Sequence, residues 1–294
     1  LPAVGAGLKR VVCGVQYMNT KNRVKKEVSG KDEQTERNYS MKILAINATY
    51  RPKKTTTQLT LKAMEGAASL GAATEMVMLR DCKIDYCLNC LKCYKDKTSE
   101  IGPCSLNDDI DGILEKIRDA DGIILASPVH NGFVTGLMTV FFERIAWRLM
   151  RSTGSSLGVM ASLESRLTDK PRAIISLSSA GGIPERLRKH CDDGTPWLKS
   201  NAPLMFYGEW IGDMYAGARL TKLPQNEEDW SNIYFNRKLS QDQLERAFNL
   251  GVKIGQAIRD GGLKPTTMNS LLGPVTCTMI KVYNFFAPFY KTVE

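Results

Sequence analysis

The clearest strand signal in the chain is Asp121-Gly122-Ile123-Ile124-Leu125-Ala126-Ser127. A short apolar run bounded by polar residues is typical of a parallel strand that is buried on both faces. Comparable runs predict four further strands, at residues 42–47, 74–79, 172–178 and 204–211. Because segments with helical periodicity separate these runs, we expect a parallel sheet with helices on both faces.

The helix signals fit this architecture. The spacing of apolar residues predicts helices at residues 55–70, 135–150 and 240–260, and the pair Asp108-Asp109 is typical of a further helix start. The order of elements predicts an α/β fold, namely a flavodoxin-like doubly wound five-stranded parallel sheet with a cysteine-rich loop and terminal extensions. In such sheets the ligand lies beyond the carboxyl ends of the strands, where the strand order reverses.

The two ends of the chain differ from the predicted flavodoxin-like domain, which we assign to residues 41–262. Residues 1–40 are polar and charged, and they predict either an extended N-terminal arm on a neighbouring subunit or a disordered segment. Residues 263–294 form an apolar and aromatic C-terminal extension that Pro274 and Pro288 interrupt. An apolar segment of this kind is expected to pack on its own domain, a membrane surface or another subunit.

Composition narrows the classes of function. The chain has 294 residues, of which 43% are hydrophobic and 24% charged, and its net charge is +9. The basic residues are scattered and no nucleic-acid-binding signature is present, so we expect no nucleic-acid partner. No apolar run reaches the roughly 18 residues that a transmembrane helix needs, and no signal-peptide pattern occurs. These features predict no transmembrane segment, and the five cysteines between Cys82 and Cys104 are typical of reduced ligands in a cytoplasm.

A dense group of cysteines suggests a metal centre. Cys87-Leu88-Asn89-Cys90-Leu91-Lys92-Cys93 is followed by Cys104, within a loop that we assign to residues 82–107. The C-x2-C-x2-C spacing lets three thiolates reach one [4Fe–4S] cluster, and a later cysteine completes the ligand set. Zinc, disulfides and buried cysteines without a metal are the alternatives, although zinc sites usually use two separated pairs and disulfides need an oxidising compartment.

The loop after the first predicted strand has the chemistry of an anion site. Residues 47–57 combine hydroxyl groups, basic side chains and the N–H groups of a helix start, which together suit a phosphate. The loop contains neither a dinucleotide-binding G-x-G-x-x-G fingerprint nor a P-loop. The alternative is a solvated turn in which Thr55 caps the helix.

The loops after the third and fourth predicted strands are small and permissive. In residues 127–136, Pro128 restricts the backbone, and Gly132 and Gly136 allow a ligand to approach closely. A flat heteroaromatic ring could lie on this loop, and His130 is expected to contact it because of its place at the strand end. Residues 178–182 form the second loop of this kind.

Three motifs in these loops resemble those of a known family. They are Ala48-Thr49-Tyr50-Arg51 with Thr55-Thr56; the four cysteines followed by Asp108-Asp109; and Ser127-Pro128-Val129-His130-Asn131-Gly132-Phe133-Val134-Thr135-Gly136. Residues 41 to about 147 resemble the NAD(P)H-dependent FMN reductase branch of flavodoxin-like proteins. More narrowly, they resemble the iron–sulfur flavoproteins of anaerobic archaea and bacteria.

The resemblance implies FMN and a [4Fe–4S] cluster as cofactors. The implied phosphate-binding residues are Thr49, Arg51, Thr55, Thr56 and Thr57. The implied ring-binding residues are Pro128, Val129, His130, Asn131, Gly132 and Phe133, with Ala180, Gly181 and Gly182 closing over the ring. The implied cluster ligands are Cys87, Cys90, Cys93 and Cys104.

The function that follows is FMN-dependent electron transfer, in which electrons pass between FMN and a redox partner protein or NAD(P)H. The resemblance also implies a homodimer or homotetramer, in which the cysteine loop of one chain approaches the flavin of another. This oligomer favours another subunit as the surface on which residues 263–294 pack. One alternative is a cluster-free NAD(P)H-dependent reductase of FMN or quinones. The other is a zinc-stabilised assembly subunit without enzymatic activity.

Overall fold

The computed structural model describes residues 16–17, 41–156, 160–218, 223–234 and 237–267. Its strands are β1 (Gln16–Tyr17), β2 (Lys42–Asn47), β3 (Ala73–Met78), β4 (Gly122–Pro128), β5 (Met150–Ser156), β6 (Met160–Ser165), β7 (Arg172–Ser179) and β8 (Gly208–Ala216). Its α-helices are α1 (Thr55–Ala68), α2 (Lys92–Lys95), α3 (Ile110–Asp119), α4 (Gly136–Leu149), α5 (Gly194–Met205), α6 (Glu227–Tyr234) and α7 (Gln241–Asp260). Short 3₁₀ turns span Leu79–Asp81 and Glu185–His190.

The main sheet confirms the predicted fold class. Five parallel strands lie in the order β3-β2-β4-β7-β8, and β1 adds an antiparallel pair at the β3 edge. Counted along the chain, the parallel strands have the order 2-1-3-4-5 of flavodoxin-like sheets. The order reverses between β2 and β4, so the loops that follow these strands meet at the edge where a ligand is expected.

The sheet separates two apolar layers. In β2, Leu44 and Ile46 point to the layer that holds α3, α4 and α5, whereas Ile43 and Ala45 point to the layer of α1 and α7. Successive side chains of a strand face opposite sides of the sheet, and here both sides are apolar. This two-sided burial explains why the sequences of β2 and β4 are continuous apolar runs instead of alternating ones.

The prediction for the last strand is wrong in its bounds. Leu204 and Met205 are the last residues of α5, and β8 begins at Gly208 and continues to Ala216. Leu204 and Met205 are both buried, and they belong to the helix. A short apolar run fits a buried strand and a buried helix end equally well, so residues 204–211 combined the end of one element with the start of the next.

Several further elements, among them α2 and α5, have no counterpart in the sequence prediction. Strands β5 and β6 form an antiparallel hairpin directly after α4, and α6 lies between β8 and α7. Of the predicted arm, Gln16–Tyr17 is described as β1; of the predicted extension, residues 263–267 are described, and the rest of both lies outside the described residues. Among the described residues no helix is both long and apolar enough to cross a membrane.

Candidate functional site

A cavity of about 440 Å³ lies at the carboxyl ends of β2, β4 and β7. Its volume is within the range of cofactor pockets. The structure brings most of the predicted FMN-binding residues to its walls: Thr49, Arg51, Thr55, Thr56, Pro128, Val129, His130, Asn131, Gly132, Ala180 and Gly181. Thr57, Phe133 and Gly182 are not among the lining residues. Tyr50, Lys54, Ser179, Ile183 and Tyr234 complete the wall.

The start of α1 forms the polar end of this cavity, which we call the strand-end pocket. Lys54 is the N-cap residue, and no side chain caps the helix start. The first N–H groups of a helix have no partner within the helix, and together with the helix dipole they attract an anion. Thr55 and Thr56 place their hydroxyl oxygens 3.3 and 2.8 Å from the Ser179 hydroxyl, which links α1 to the end of β7.

Asn47 fixes the loop that leads into α1, and the sequence analysis did not assign it a role. Its carboxamide oxygen accepts a hydrogen bond from the Thr49 backbone N–H at 3.0 Å. Its Nδ2 donates to the hydroxyls of Thr60 at 3.2 Å and Thr57 at 3.4 Å. Thr57 is therefore turned towards Asn47 inside the domain. The signal in the sequence was a polar residue that ends an otherwise apolar strand.

The loop after β4 contains a tight turn at its tip. Asn131 and Gly132 both have positive φ, of 50° and 78°, between paired backbone hydrogen bonds that join His130 to Phe133 at 2.9 Å. Positive φ at both central positions is the geometry of a type I′ turn, which favours asparagine followed by glycine. The turn points Asn131 and Gly132 into the strand-end pocket, while Phe133 packs on Trp197 at 5.3 Å between ring centroids.

Thr135 ties three parts of the pocket together at the start of α4. Its hydroxyl donates to the Ala48 carbonyl at 2.8 Å and accepts from the Met138 N–H at 3.4 Å as the helix N-cap. Its backbone N–H donates to the Ser127 hydroxyl at 3.0 Å. The loops after β2 and β4 are thus held at a fixed separation by one buried side chain.

The four predicted cluster ligands line a second cavity, beside α4. Cys87 and Cys90 are exposed, and Cys93 and Cys104 are half-buried. Asn89 and Leu91 have positive φ, of 47° and 58°, which lets the backbone reverse between the cysteines. Leu91 is an uncommon residue for that region, because its side chain is strained there.

Several donors point at the sulfurs of this cysteine loop. The N–H groups of Asn89 and Leu106 lie 3.4 Å from the Sγ atoms of Cys87 and Cys104. A hydrogen bond between Cys90 and the Ser105 hydroxyl lowers the pKa of the Cys90 thiol, whereas burial raises the pKa of the Cys93 thiol. Hydrogen bonds to sulfur are among the features by which a protein tunes an iron–sulfur cluster.

Three buried arginines hold the cysteine loop, and the sequence analysis did not identify them. Arg144 lies 3.7 Å from the Cys104 sulfur and pairs with Asp108, with both side chains 1% exposed. Arg148 donates to the Gly102 carbonyl at 2.8 Å. Arg166 donates to the carbonyls of Cys93 and Asp96 at 3.0 and 2.6 Å.

The structure bears on the alternatives for the cysteines. Cys82, which also lies in this loop, is disulfide-bonded, so its sulfur is not available to a metal. Among the described residues no three His, Cys, Asp or Glu side chains form a ready site for a metal ion. The four thiols nevertheless share one cavity wall, and a cluster of four irons spans a wider gap than the single ion of a tetrahedral zinc site.

The strand order and the position of the strand-end pocket define the chain as a flavodoxin-like α/β protein. A family model for NADPH-dependent FMN reductases matches residues 41–193, which include β2, β4, β7 and the cysteine loop. The chain belongs to this family.

Individual relatives support the family assignment. An iron-sulfur flavoprotein of Methanocaldococcus jannaschii is 35% identical over 127 residues, which are 42% of this chain and 63% of that protein. An iron-sulfur flavoprotein of Archaeoglobus fulgidus is 37% identical over 105 residues, 35% of this chain and 48% of that protein. The chain therefore spans only about half to two-thirds of the length of these relatives.

A solved structure supports the fold. The NAD(P)H:quinone oxidoreductase of Methanothermobacter marburgensis matches with a TM-score of 0.51 and 16% identity, and the match covers 72% of this chain and 98% of that one. At this level of identity the likeness concerns the fold alone.

Proposed function

We propose that the protein is an FMN-dependent electron-transfer oxidoreductase with a [4Fe–4S] cluster. The observation that carries the FMN part is the strand-end pocket, in which an uncapped helix start and a tight, glycine-containing loop meet at the switch point of the sheet. These are the two chemistries that FMN needs, because its phosphate is an anion and its ring is flat and heteroaromatic.

The phosphate end of FMN would be held by the start of α1. Thr55 and Thr56 supply hydroxyls, Thr49 and Arg51 lie on the preceding loop, and Lys54 adds a positive charge. Thr57 would not contact the phosphate itself; it would help to hold the loop in position through its hydrogen bond with Asn47. The donors are present before the ligand arrives, so little rearrangement is needed on binding.

The ring of FMN would lie on the turn after β4. Pro128, Val129, His130, Asn131 and Gly132 offer a surface of small side chains and backbone groups. Ala180 and Gly181 would border it from the loop after β7, while Phe133 and Gly182 would support the wall from outside. FMN supplies both two-electron and one-electron chemistry, and the residues named here would bind it, orient it and restrict water.

The cluster would be held by Cys87, Cys90, Cys93 and Cys104. The cavity that these cysteines share, the N–H groups at the sulfurs and the nearby Arg144 guanidinium support this part of the proposal. A cluster with four thiolates carries net negative charge, and positive charge close to it favours the reduced state. A cluster passes single electrons, so it would suit exchange with a redox partner protein, with NAD(P)H as the alternative donor.

A cluster-free NAD(P)H-dependent reductase of FMN or quinones is the second candidate. The absence of a ready metal-binding group among the described residues favours it. No observation favours the zinc-stabilised assembly subunit, since among the described residues no group of ligands is arranged to hold a zinc ion.

Purification without air separates the candidates. We expect one FMN, four irons and four acid-labile sulfides per chain, with a flavin spectrum and a broad additional absorbance. FMN without iron would select the cluster-free reductase. One zinc per chain without iron or flavin would overturn the oxidoreductase proposal.

The ligand set has its own control. Cys90→Ser and Cys191→Ser each remove one free thiol, but only Cys90 lies in the cysteine loop. We expect the first variant to lose most of its iron while keeping FMN, and the second to keep both. Equal iron contents in the two variants would contradict the assigned ligands.

A further inference from the structure

Helix α6 supplies one wall of the strand-end pocket although it lies outside the residues that match the family. The family model ends at residue 193, and α6 spans Glu227–Tyr234. Tyr234, its last residue, lines the pocket and keeps 46% of its surface exposed. A large aromatic side chain that is half exposed at the mouth of a cofactor-sized cavity has apolar surface left for a ligand to cover.

The Gly181-Gly182 pair makes room for the Tyr234 ring. A Cβ atom at Gly182 would lie 2.4 Å from Cζ of Tyr234, and one at Gly181 would lie 3.0 Å from its backbone. Gly182 also has a φ of +72°, a conformation that other residues rarely adopt. The two glycines therefore allow the ring of Tyr234 to rest directly on the loop after β7.

Neighbouring residues hold Tyr234 in this position. The ring of Trp230, one helical turn earlier, stacks on it with 5.7 Å between centroids and 29° between planes. Arg237, three residues later, donates a hydrogen bond to the Ala216 carbonyl at 2.9 Å, which attaches the chain after α6 to the end of β8. Tyr234 is thus packed against Trp230, and the chain that follows it is attached to β8.

A second aromatic pair borders the pocket from the other direction. Tyr50 follows β2 and stacks on His130, with 5.9 Å between centroids and 16° between planes. Strands β2 and β7 lie on either side of β4, so the loop that carries Tyr50 and the loop on which the Tyr234 ring rests follow strands about 10 Å apart, at two strand spacings. Packed aromatic rings have their centroids roughly 4.5–7 Å apart. A flat ring placed between the Tyr50–His130 pair and Tyr234 could therefore contact both sides across a gap of this size.

We propose that Tyr234 packs on one face of the FMN ring, opposite the Tyr50–His130 pair. This inference rests on the proposed binding of FMN. It assigns α6 as a cover that shields the flavin from solvent and limits the size of acceptors that reach it. The nearby acidic residues Glu227, Glu228 and Asp229 are on the first turn of α6, away from Tyr234 at the last turn.

Titration of the full-length apoprotein with FMN, followed by flavin fluorescence, tests the proposal. Tyr234→Leu is expected to weaken FMN binding roughly 2- to 12-fold, the range for loss of one aromatic contact. It is also expected to raise the fluorescence of the bound flavin, because a stacked tyrosine quenches it. Tyr234→Phe keeps the ring and should bind as the wild type does. Tyr86→Leu, at a tyrosine that is 75% exposed and does not line the pocket, is the matched control.

Gly182→Ala provides an independent variant that keeps Tyr234. Its added Cβ would displace the ring, so we expect the same loss of affinity and gain of fluorescence. Wild-type affinity and fluorescence in Tyr234→Leu, or in Gly182→Ala if the first variant does not fold, would overturn the role of Tyr234 while leaving FMN binding intact. No FMN binding by the wild-type apoprotein would overturn the proposed function together with this inference.

Discussion

Arg144 and Asp108 are paired deep beside the cysteine loop, and each depends on the other. Burial acts to raise the pKa of Asp108, but hydrogen bonds from Arg144 and from the Asp85 N–H outweigh it, so the pKa of Asp108 lies below its usual 3.8. A carboxyl whose pKa is lower in the folded state stabilises the protein above the unfolded pKa, and this stabilisation is lost as pH falls through the folded pKa.

Replacing the carboxylate should be costly at neutral pH and less so in acid. Asp108→Asn leaves Arg144 buried without its counter-charge, and we expect a loss of about 3–5 kcal/mol in the free energy of unfolding at pH 7. The difference from the wild type should begin to shrink below about pH 4, where the carboxyl of the unfolded chain takes up a proton, and it should disappear as pH falls through the lower folded pKa. Urea unfolding between pH 3 and pH 7 measures both. Asp119→Asn, in an exposed pair with Arg118, is the control and should change stability by less than about 0.5 kcal/mol.

Arg51 is the predicted phosphate contact at the mouth of the strand-end pocket. Arg51→Ala should weaken FMN binding by about 1.5–3 kcal/mol, the usual contribution of a hydrogen bond to a charged group. Lys53→Ala removes a positive charge two residues away that does not line the pocket, so it controls for general electrostatic attraction. Fluorescence titration of the apoprotein gives both affinities, and equal effects in the two variants would argue against a direct contact.

At the residue scale, the sequence predicted loops better than it predicted side-chain directions. Arg51 and His130 line the pocket because their loops follow strands at the switch point, which strand order alone determines. Thr57 and Phe133 belong to the same loops but point into the domain, at Asn47 and Trp197. Their directions depend on the helix rotation and on the turn at Asn131-Gly132, and neither is visible in a linear pattern of residue types.

Helices α1 and α7 approach so closely that backbone touches backbone. A Cβ atom at Gly251 would lie 1.8 Å from the Ala63 carbonyl oxygen, and one at Gly66 would lie 2.0 Å from that of Phe248. Both glycines are buried. Glycine is a poor helix former, so its presence in both helices trades helix propensity for a closer contact between them.

Two glycine-to-alanine changes, one at this contact and one away from it, should have opposite effects on stability. Gly251→Ala should destabilise the protein by about 1–3 kcal/mol, because the backbone of α1 must shift to admit the methyl group. Gly112→Ala, on the exposed face of α3 with nothing within 4 Å, should stabilise it by about 0.5–1 kcal/mol through helix propensity. Thermal and urea unfolding measure both. A stabilising effect at Gly251 would mean that the two helices are farther apart.

At the element scale, the pattern of apolar residues predicted an element's bounds well where the whole element is buried in one environment. Strand β4 has polar residues at its ends and is buried on both faces, so its apolar run matched the observed strand within about a residue. The prediction was wrong at the junction of α5 and β8, because two buried elements follow each other there with only Phe206 and Tyr207 between them. The hairpin of β5 and β6 lies outside the main sheet, and its polar sequence has no continuous apolar run.

At the scale of the whole molecule, α4 connects the two candidate sites within one chain. A Cβ atom at Gly136, its first residue, would lie 3.4 Å from the Tyr50 hydroxyl at the pocket, and Arg144 lies at the cysteine loop. Eight residues of helix rise by about 12 Å. The family resemblance predicts that electron transfer uses the cysteine loop of a neighbouring subunit, and this stays a prediction. Helix α4 offers a second connection, inside a single subunit.

The apolar residues 268–294 lie outside the described part of the chain, and their predicted role in assembly stays a prediction. A truncation after Thr267 would keep the contacts of the preceding segment, in which the Thr266 N–H donates to the Gly208 carbonyl at 2.9 Å and the Lys264 N–H donates to Glu209 at 2.7 Å. We expect the truncated protein to form smaller assemblies. An apolar segment of this length is expected to be buried against another subunit, and the truncation removes that contact.

If the proposed FMN and cluster are both bound, α4 connects their sites within one chain, and the truncated protein should keep its rate of electron transfer between them. Light scattering gives the subunit count, and rapid mixing with a reductant gives the transfer rate at matched chain concentrations. An unchanged subunit count would show that residues 268–294 are not the assembly element. A fall in transfer rate that parallels the fall in subunit count would show instead that the cysteine loop of one subunit serves the flavin of another.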